Sequence, residues 1–354
     1  MQFVNTRQEK NVRNVTQIIC AIWLLILWRI LAFSPVSTDS DSYRLIFSAN
    51  SNRYGTELGF YLLIRIAHLL NQNYWTFRAI CLGVAFVFLY LTIIEAKTNG
   101  IYFLMAYTFY PLLIDAIQFR FLLALSIELF ALAHLENGNK LRSSGIKYIV
   151  ITIAASFIHA SVIVFLIYLI AYYNSTDKFK KIFCLSLLIE CAVILLIQFF
   201  GPFVNNIMLF FRSSDFFIYQ FGLDYSGWIK YVLIYMLLLV ISTFYLHEQY
   251  EQTEFEKYIR ILLLGFLMIN LTLLNENLNR YFRASVILVF LLIGKQRNKF
   301  TFNSAICRSA ILICSIILYV KFINGDILTA WKGCFLGFSS LRDIANSVIR
   351  YHYH

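Results

Sequence analysis

The sequence predicts an all-α, polytopic integral membrane protein, with about ten or eleven helices crossing or half-crossing the bilayer and one re-entrant or amphipathic segment on the outer face. Three observations carry that expectation. Hydrophobic residues make up 60% of the chain against 14% charged, and mean hydropathy is +0.69, well outside the range of soluble globular domains. Apolar runs approaching the roughly 20 residues needed by a spanning helix recur along the whole length. The formal charge of +11 is concentrated in short basic clusters between those runs, which is a topology signal and not a nucleic-acid surface. The chain therefore reads as a single membrane domain over 1–354.

Taken in order, residues 1–15 form an amino-terminal arm with Arg7, Lys10 and Arg13 against Glu9, held in the cytoplasm by the positive-inside rule. Residues 16–33 are the first span, retained because no small-residue cleavage site follows it. The outer-face segment 34–73 holds Asp39, Asp41, Arg44, Arg53, Glu57 and Arg65. Its apolar part, 58–70, is cut by Arg65 and too short to cross. Runs 75–96, 101–113 and 119–134 then alternate direction and bring Lys140, Arg142 and Lys147 to the cytoplasmic side. Had 58–70 crossed, those three cations would lie outside.

The run 146–173 is interrupted at Ser156–Ser161 around His159 and is basic on both flanks, with Lys178, Lys180 and Lys181 after it. It is either one tilted helix with a polar middle or two half-helices turning near His159, and the lysines favour the second. Residues 182–200 run outward to an aromatic outer loop at 201–227, and 228–246 return. Runs 258–274 and 284–294 flank the stretch from Asn275 to Arg283, which places that stretch outside and Lys295, Arg297 and Lys299 inside. A last crossing follows at 305–323. The tail, 324–354, is weakly amphipathic and suits an interfacial helix.

Six of the seven cysteines sit inside apolar runs and Cys334 stands alone in the tail, so neither a disulfide framework nor a metal cluster is expected. The abundance of Ile, Phe, Asn, Lys and Tyr fits the AT-rich coding of a bacterium. No Walker loop, dinucleotide turn, His-Glu-x-x-His or Gly-x-Ser-x-Gly is present, which argues against an energy-coupled pump or a soluble-type hydrolase.

What remains is a set of isolated polar residues. In the topology above, Asp39, Asp41, Glu57, Arg120, His159, Arg280 and Arg283 all fall near the outer surface. Arg280 and Arg283, three apart, share one side of a helix and can face one polyanionic group. Each has an ordinary structural alternative: capping for the aspartates, snorkelling for the arginines, packing for the histidine. Glu128 and Glu190 lie deeper in apolar runs, where an unpaired carboxylate costs about 2.5–3.5 kcal/mol, so pairing with Arg65, Arg78 or a neighbouring amide is expected.

In chain order, Asp41-Ser42-Tyr43, Glu57-Leu58-Gly59-Phe60, Phe119-Arg120-Phe121, Phe157-Ile158-His159-Ala160-Ser161 and Arg280-Tyr281-Phe282 resemble the EpsG family of bacterial exopolysaccharide and O-antigen polymerases of the Wzy type. The likeness covers about Asp39 to Gly294. It departs where the family often has Glu-Pro-Gly-Phe, Arg-Gln and Phe-His. The resemblance implies polymerisation of undecaprenyl-pyrophosphate-linked oligosaccharide repeat units by metal-independent, cofactor-free glycosyl transfer at the outer face of the bacterial cytoplasmic membrane. Its partners would be that lipid-linked oligosaccharide, membrane lipids and, optionally, a chain-length regulator protein, with no nucleic acid.

Arg120, Arg280 and Arg283 would then hold the pyrophosphate, since guanidinium forks stabilise a departing anion. His159, Glu57 and Asp41 are the open choices for the base that takes the acceptor proton. Asp39, Tyr43 and Tyr281 would contact the glycan. A lipid-linked glycan flippase or a polytopic acyltransferase are the alternatives: the first should line a through-path with cations, the second needs only a histidine in a membrane pocket.

Overall fold

Fourteen α-helices and two 3-10 stretches make up the described residues of the computed structural model, which are 2–33, 38–49, 57–138, 141–210, 225–274, 278–295 and 301–322. Five helices are long and apolar enough to cross a membrane: Asn14–Ala32, Tyr74–Glu95, Thr176–Phe200, Tyr225–Gln249 and Phe302–Val320. The chain is thus a multi-pass membrane protein, and its composition is explained by what these helices face. Leu185, Leu188, Leu195, Leu196 and Phe199 are all exposed on the third of them, an apolar face suited to lipid.

In chain order the helices are α1 (Gln2–Ala32), α2 (Thr38–Ala49), α3 (Leu58–Leu69), α4 (Tyr74–Glu95), α5 (Gly100–Phe109), α6 (Leu112–Ile117) and α7 (Phe119–Asn137). After them come α8 (Leu141–Ser156), the 3-10 helix Ala160–Tyr168, α9 (Leu169–Tyr173), α10 (Thr176–Phe210), α11 (Tyr225–Gln249) and α12 (Gln252–Asn270). The second 3-10 stretch Leu271–Leu273, α13 (Asn279–Gly294) and α14 (Phe302–Phe322) complete the set.

Helix α13 is the axis of the bundle. Every residue from Arg280 to Gly294 is buried, and α5, α11 and α12 pack around it. A helix apolar on all sides is expected to be enclosed by protein or lipid, and here protein encloses it. Its first turn is the polar stretch Asn279–Arg283, so the two arginines enter the protein interior and do not snorkel along its surface. Asn275–Asn277, the rest of that stretch, lie outside the described residues, as do residues 211–224 of the loop expected over 201–227, whose first ten residues belong to α10, and the tail from 323 onward.

The structure resolves the alternatives for 146–173 in favour of two half-helices. Helix α8 ends at Ser156, the chain turns through Phe157–His159, and the 3-10 helix and α9 run back alongside it. Tyr148 donates to the Phe165 carbonyl at 2.7 Å, and a Cβ at Gly145 would run into the Tyr173 hydroxyl. In one continuous helix Gly145 and Tyr173 would be roughly 42 Å apart.

Other expected runs shift at their ends. The predicted crossing 101–113 is broken at Tyr110-Pro111 into α5 and the single-turn-and-a-half α6, because proline has no amide to continue the ladder. The loop expected over 247–257 shrinks to a turn at 250–251, with α12 beginning at Gln252 and its first-turn Glu254 complementing the helix dipole. Helix α10 kinks at Phe200, just ahead of Pro202, where the sequence reading ended the span.

Helix α7 fixes the two ends of the molecule. Arg120 lies in its first turn and Glu136 in its last, roughly 24 Å away. At the far end Glu136 pairs with Lys295, accepts from Tyr258 Oη at 2.6 Å and lies 3.9 Å from Lys257 Nζ. Of the deep acids, Glu190 accepts from the amide of Asn270 at 2.8 Å, as expected, whereas Glu128 lies against Tyr148 and Thr152 of α8 and not against Arg65 or Arg78.

Candidate active site

The near end of α7 gathers residues from four distant parts of the chain. Helix α3 begins against the turn that follows α8: Gly59 and Phe60 both donate their amides to the Phe157 carbonyl, at 2.8 and 3.2 Å. A Cβ at Gly59 would come within 2.7 Å of that carbonyl oxygen, so only glycine permits the approach. The approach delivers Glu57, the N-cap of α3, to the start of the 3-10 helix, where Glu57 Oε1 accepts from the Ala160 amide at 3.0 Å. Its other oxygen, Oε2, accepts from Arg120 Nη1 at 2.7 Å. Arg120 in turn lies over Phe60 and Tyr43, with Cζ 5.4 and 6.0 Å from the ring centroids.

His159 ends the turn in an extended conformation and faces two groups. Arg280 Nη1 lies 2.9 Å from Nε2, and Ser161 Oγ lies 2.8 Å from Nδ1. A guanidinium and an amide both only donate, and a neutral ring accepts at one nitrogen only; the Arg280 contact at Nε2 is 2.9 Å against 3.3 Å from the Ser161 amide to Nδ1, so we assign Nε2 as the acceptor and the ring proton to Nδ1. That proton faces Ser161 Oγ, with Glu57 Oε1 4.0 Å away. Tyr281 closes the same corner by donating to the Ser161 carbonyl at 3.3 Å.

Arg280 and Arg283 converge, as their spacing predicts, on one ring: their Cζ atoms lie 5.8 and 5.7 Å from the centroid of Phe121. They differ in what else they meet. Arg283 is 1% exposed and is held by the Gln118 side chain at 2.6 Å and by Asp115, Nε to Oδ1 3.2 Å, while Tyr107 donates to the second Asp115 oxygen at 3.1 Å. Arg280 is 8% exposed and lies on the His159 side of Phe121, whose ring meets the imidazole edge-on at 5.4 Å.

The structure therefore brings together Glu57, Arg120, His159, Arg280, Arg283, Tyr281 and Tyr43. Asp39 and Asp41 fall on α2 ahead of Tyr43, with side chains outside the described residues. Tyr43 packs on Phe119 at 4.7 Å, which ties α2 to the start of α7. Sequence reading missed Asp115, Gln118 and Ser161 as partners in this cluster. Asp115 had a usable signal, being an acid in an apolar stretch that must find a cation. Gln118 had none, since it reaches Arg283 only through a tertiary approach, whereas Ser161 stands two residues after His159 inside the quoted motif and its contact with the ring is local.

Among the described residues in this cluster, three guanidinium groups stand with two carboxylates and an imidazole, a set of forked donors of the kind that binds polyanions. No curated protein and no solved structure matches the chain. The model of the EpsG family, by contrast, matches residues 17–335 and so spans every residue of this cluster. The chain belongs to the EpsG family, which is associated with polysaccharide biosynthesis.

Proposed function

We propose that this chain is a polysaccharide polymerase, a glycosyltransferase that joins oligosaccharide repeat units carried on undecaprenyl pyrophosphate at the outer face of the bacterial cytoplasmic membrane. One observation carries the reading: guanidinium groups and proton acceptors interleave at hydrogen-bond distance, Arg120 with Glu57 and Arg280 with His159, at a single end of the bundle. The opposite end carries Lys257 and Lys295, and the positive-inside rule turns that end to the cytoplasm.

In the reaction, the hydroxyl of an incoming unit attacks the anomeric carbon of the growing glycan. The bond from that carbon to the pyrophosphate oxygen breaks, and its electron pair leaves on the lipid pyrophosphate. Arg120 and Arg280 would neutralise that charge, with Arg283, also beside Phe121, supporting them. The acceptor proton passes to His159, with Glu57 and Asp41 as the other candidates. Tyr281, Tyr43 and Asp39 are the proposed glycan contacts, the two tyrosines through their rings.

The test uses purified protein and lipid-linked repeat units in detergent, followed by separation of products by length. A ladder of multiples supports the polymerase. Unaltered substrate, combined with inward-facing repeats accumulating in a deletion strain, identifies a flippase instead, and full-length polymer lacking acyl groups identifies an acyltransferase.

A further inference from the structure

Two of the candidate proton acceptors, His159 and Glu57, are each engaged by an arginine that the reading above assigns to the pyrophosphate. The Nε2 lone pair of His159 is used by Arg280 at 2.9 Å. Glu57 is used twice, by Arg120 at 2.7 Å and by the Ala160 amide at 3.0 Å. While these pairs hold, the accepting nitrogen of His159 is not open to an incoming hydroxyl, and the charge of Glu57 is offset by Arg120 although its oxygens keep further acceptor capacity. We infer that a diphosphate ester unmasks the base by taking both arginines, so that the lipid-linked donor must bind before the acceptor can be deprotonated; this rests on the polymerase reading.

The geometry supplies the exchange. A diphosphate offers more acceptor oxygens and more charge than one neutral nitrogen, so Arg280 gains by leaving Nε2 for it. Arg120 exchanges one carboxylate for a phosphate on the same grounds. Glu57 stays close because Gly59 and Phe60 pin the start of α3 to Phe157. Released from Arg120, its carboxylate needs to close only from 4.0 Å to hydrogen-bond distance to accept Nδ1–H of His159. That contact would support the positive imidazole formed when Nε2 takes the acceptor proton. Arg283 does not join the exchange, because Asp115 and Gln118 already engage it. The masked state keeps the base from activating water when no donor is bound.

The experiment uses the full chain in lipid, with nitrogen-15 in Arg and His, and geranylgeranyl pyrophosphate as the probe. Solid-state NMR reads the nitrogen–nitrogen correlation between Arg280 and His159, assigned with the His159→Gln variant, while phosphorus-31 signals report probe binding. The expected result is a correlation that is strong without probe and lost at saturation. Persistence of the correlation with the probe bound, in a preparation that polymerises, overturns the unmasking and leaves the polymerase reading standing. A preparation that neither binds the probe nor polymerises removes that reading, and the unmasking with it.

Discussion

Replacing Asp115 with Asn tests whether the cationic cluster is held in place by a buried ion pair. Asp115 is fully buried, Arg283 is 1% exposed, and their charged atoms are 3.2 Å apart. At an effective dielectric of about 20, that separation corresponds to roughly 5 kcal/mol of attraction. Removing one partner of a buried pair typically costs about 3–5 kcal/mol, because the remaining charge is stranded. Gln118 and the Phe121 ring still engage the guanidinium, so the expected loss for Asp115→Asn is about 3 kcal/mol, the lower end of that range. Equilibrium unfolding in mixed micelles measures it. The double variant Asp115→Asn with Arg283→Met removes the stranded charge and should recover roughly half of the loss. A single variant as stable as wild type, or a double variant worse than the sum of the singles, would refute the ion-pair account.

Four further outcomes follow from the same geometry. His159→Gln keeps a side chain of similar reach but cannot accept a proton at useful pH, so it should fold normally by thermal unfolding and lose transfer of lipid-linked units; substantial turnover would pass the base role to Glu57 or Asp41. Arg280→Lys replaces a fork with a point charge and should lower polymer formation by about tenfold or more at normal protein level; unchanged polymer would show that the fork is not needed. Gly59→Ala must move the Phe157 carbonyl, which lies 2.7 Å from the added carbon, and should reduce activity by displacing Glu57, with wild-type turnover counting against that chain of contacts. Cysteine labelling from outside the cell should reach substitutions at Asn50 and Asn277 but not at Asn139 or Asn298, and labelling at Asn139 would reverse the assigned orientation.

Much of the helical plan is legible in the residues because hydrophobic length is a local property. The run expected over 75–96 is helix Tyr74–Glu95, and the first span, expected over 16–33, is Asn14–Ala32. Several misplaced boundaries lie at polar helix ends. Helices α7, α12 and α13 carry Arg120, Glu136, Lys257 and Arg280 at their ends, and their boundaries were misplaced because a polar residue there reads as a loop until its partner is known. Glu136 has Lys295 and Tyr258, and Arg280 has His159, all remote in sequence.

The sequence by itself determined that this chain is a multi-pass helical membrane protein and which family it resembles, since both depend on composition, run length or short motifs. It also singled out Glu57, Arg120, His159, Arg280 and Arg283, because ionisable groups in apolar surroundings must have partners or roles. Only the tertiary structure decided that 146–173 folds back on itself, that Asp115 engages Arg283, and that Arg280 covers the very nitrogen a base would use. Those facts depend on approaches of a few ångströms between residues such as Gly59 and Phe157 or Arg280 and His159, 98 and 121 positions apart, which no local pattern encodes.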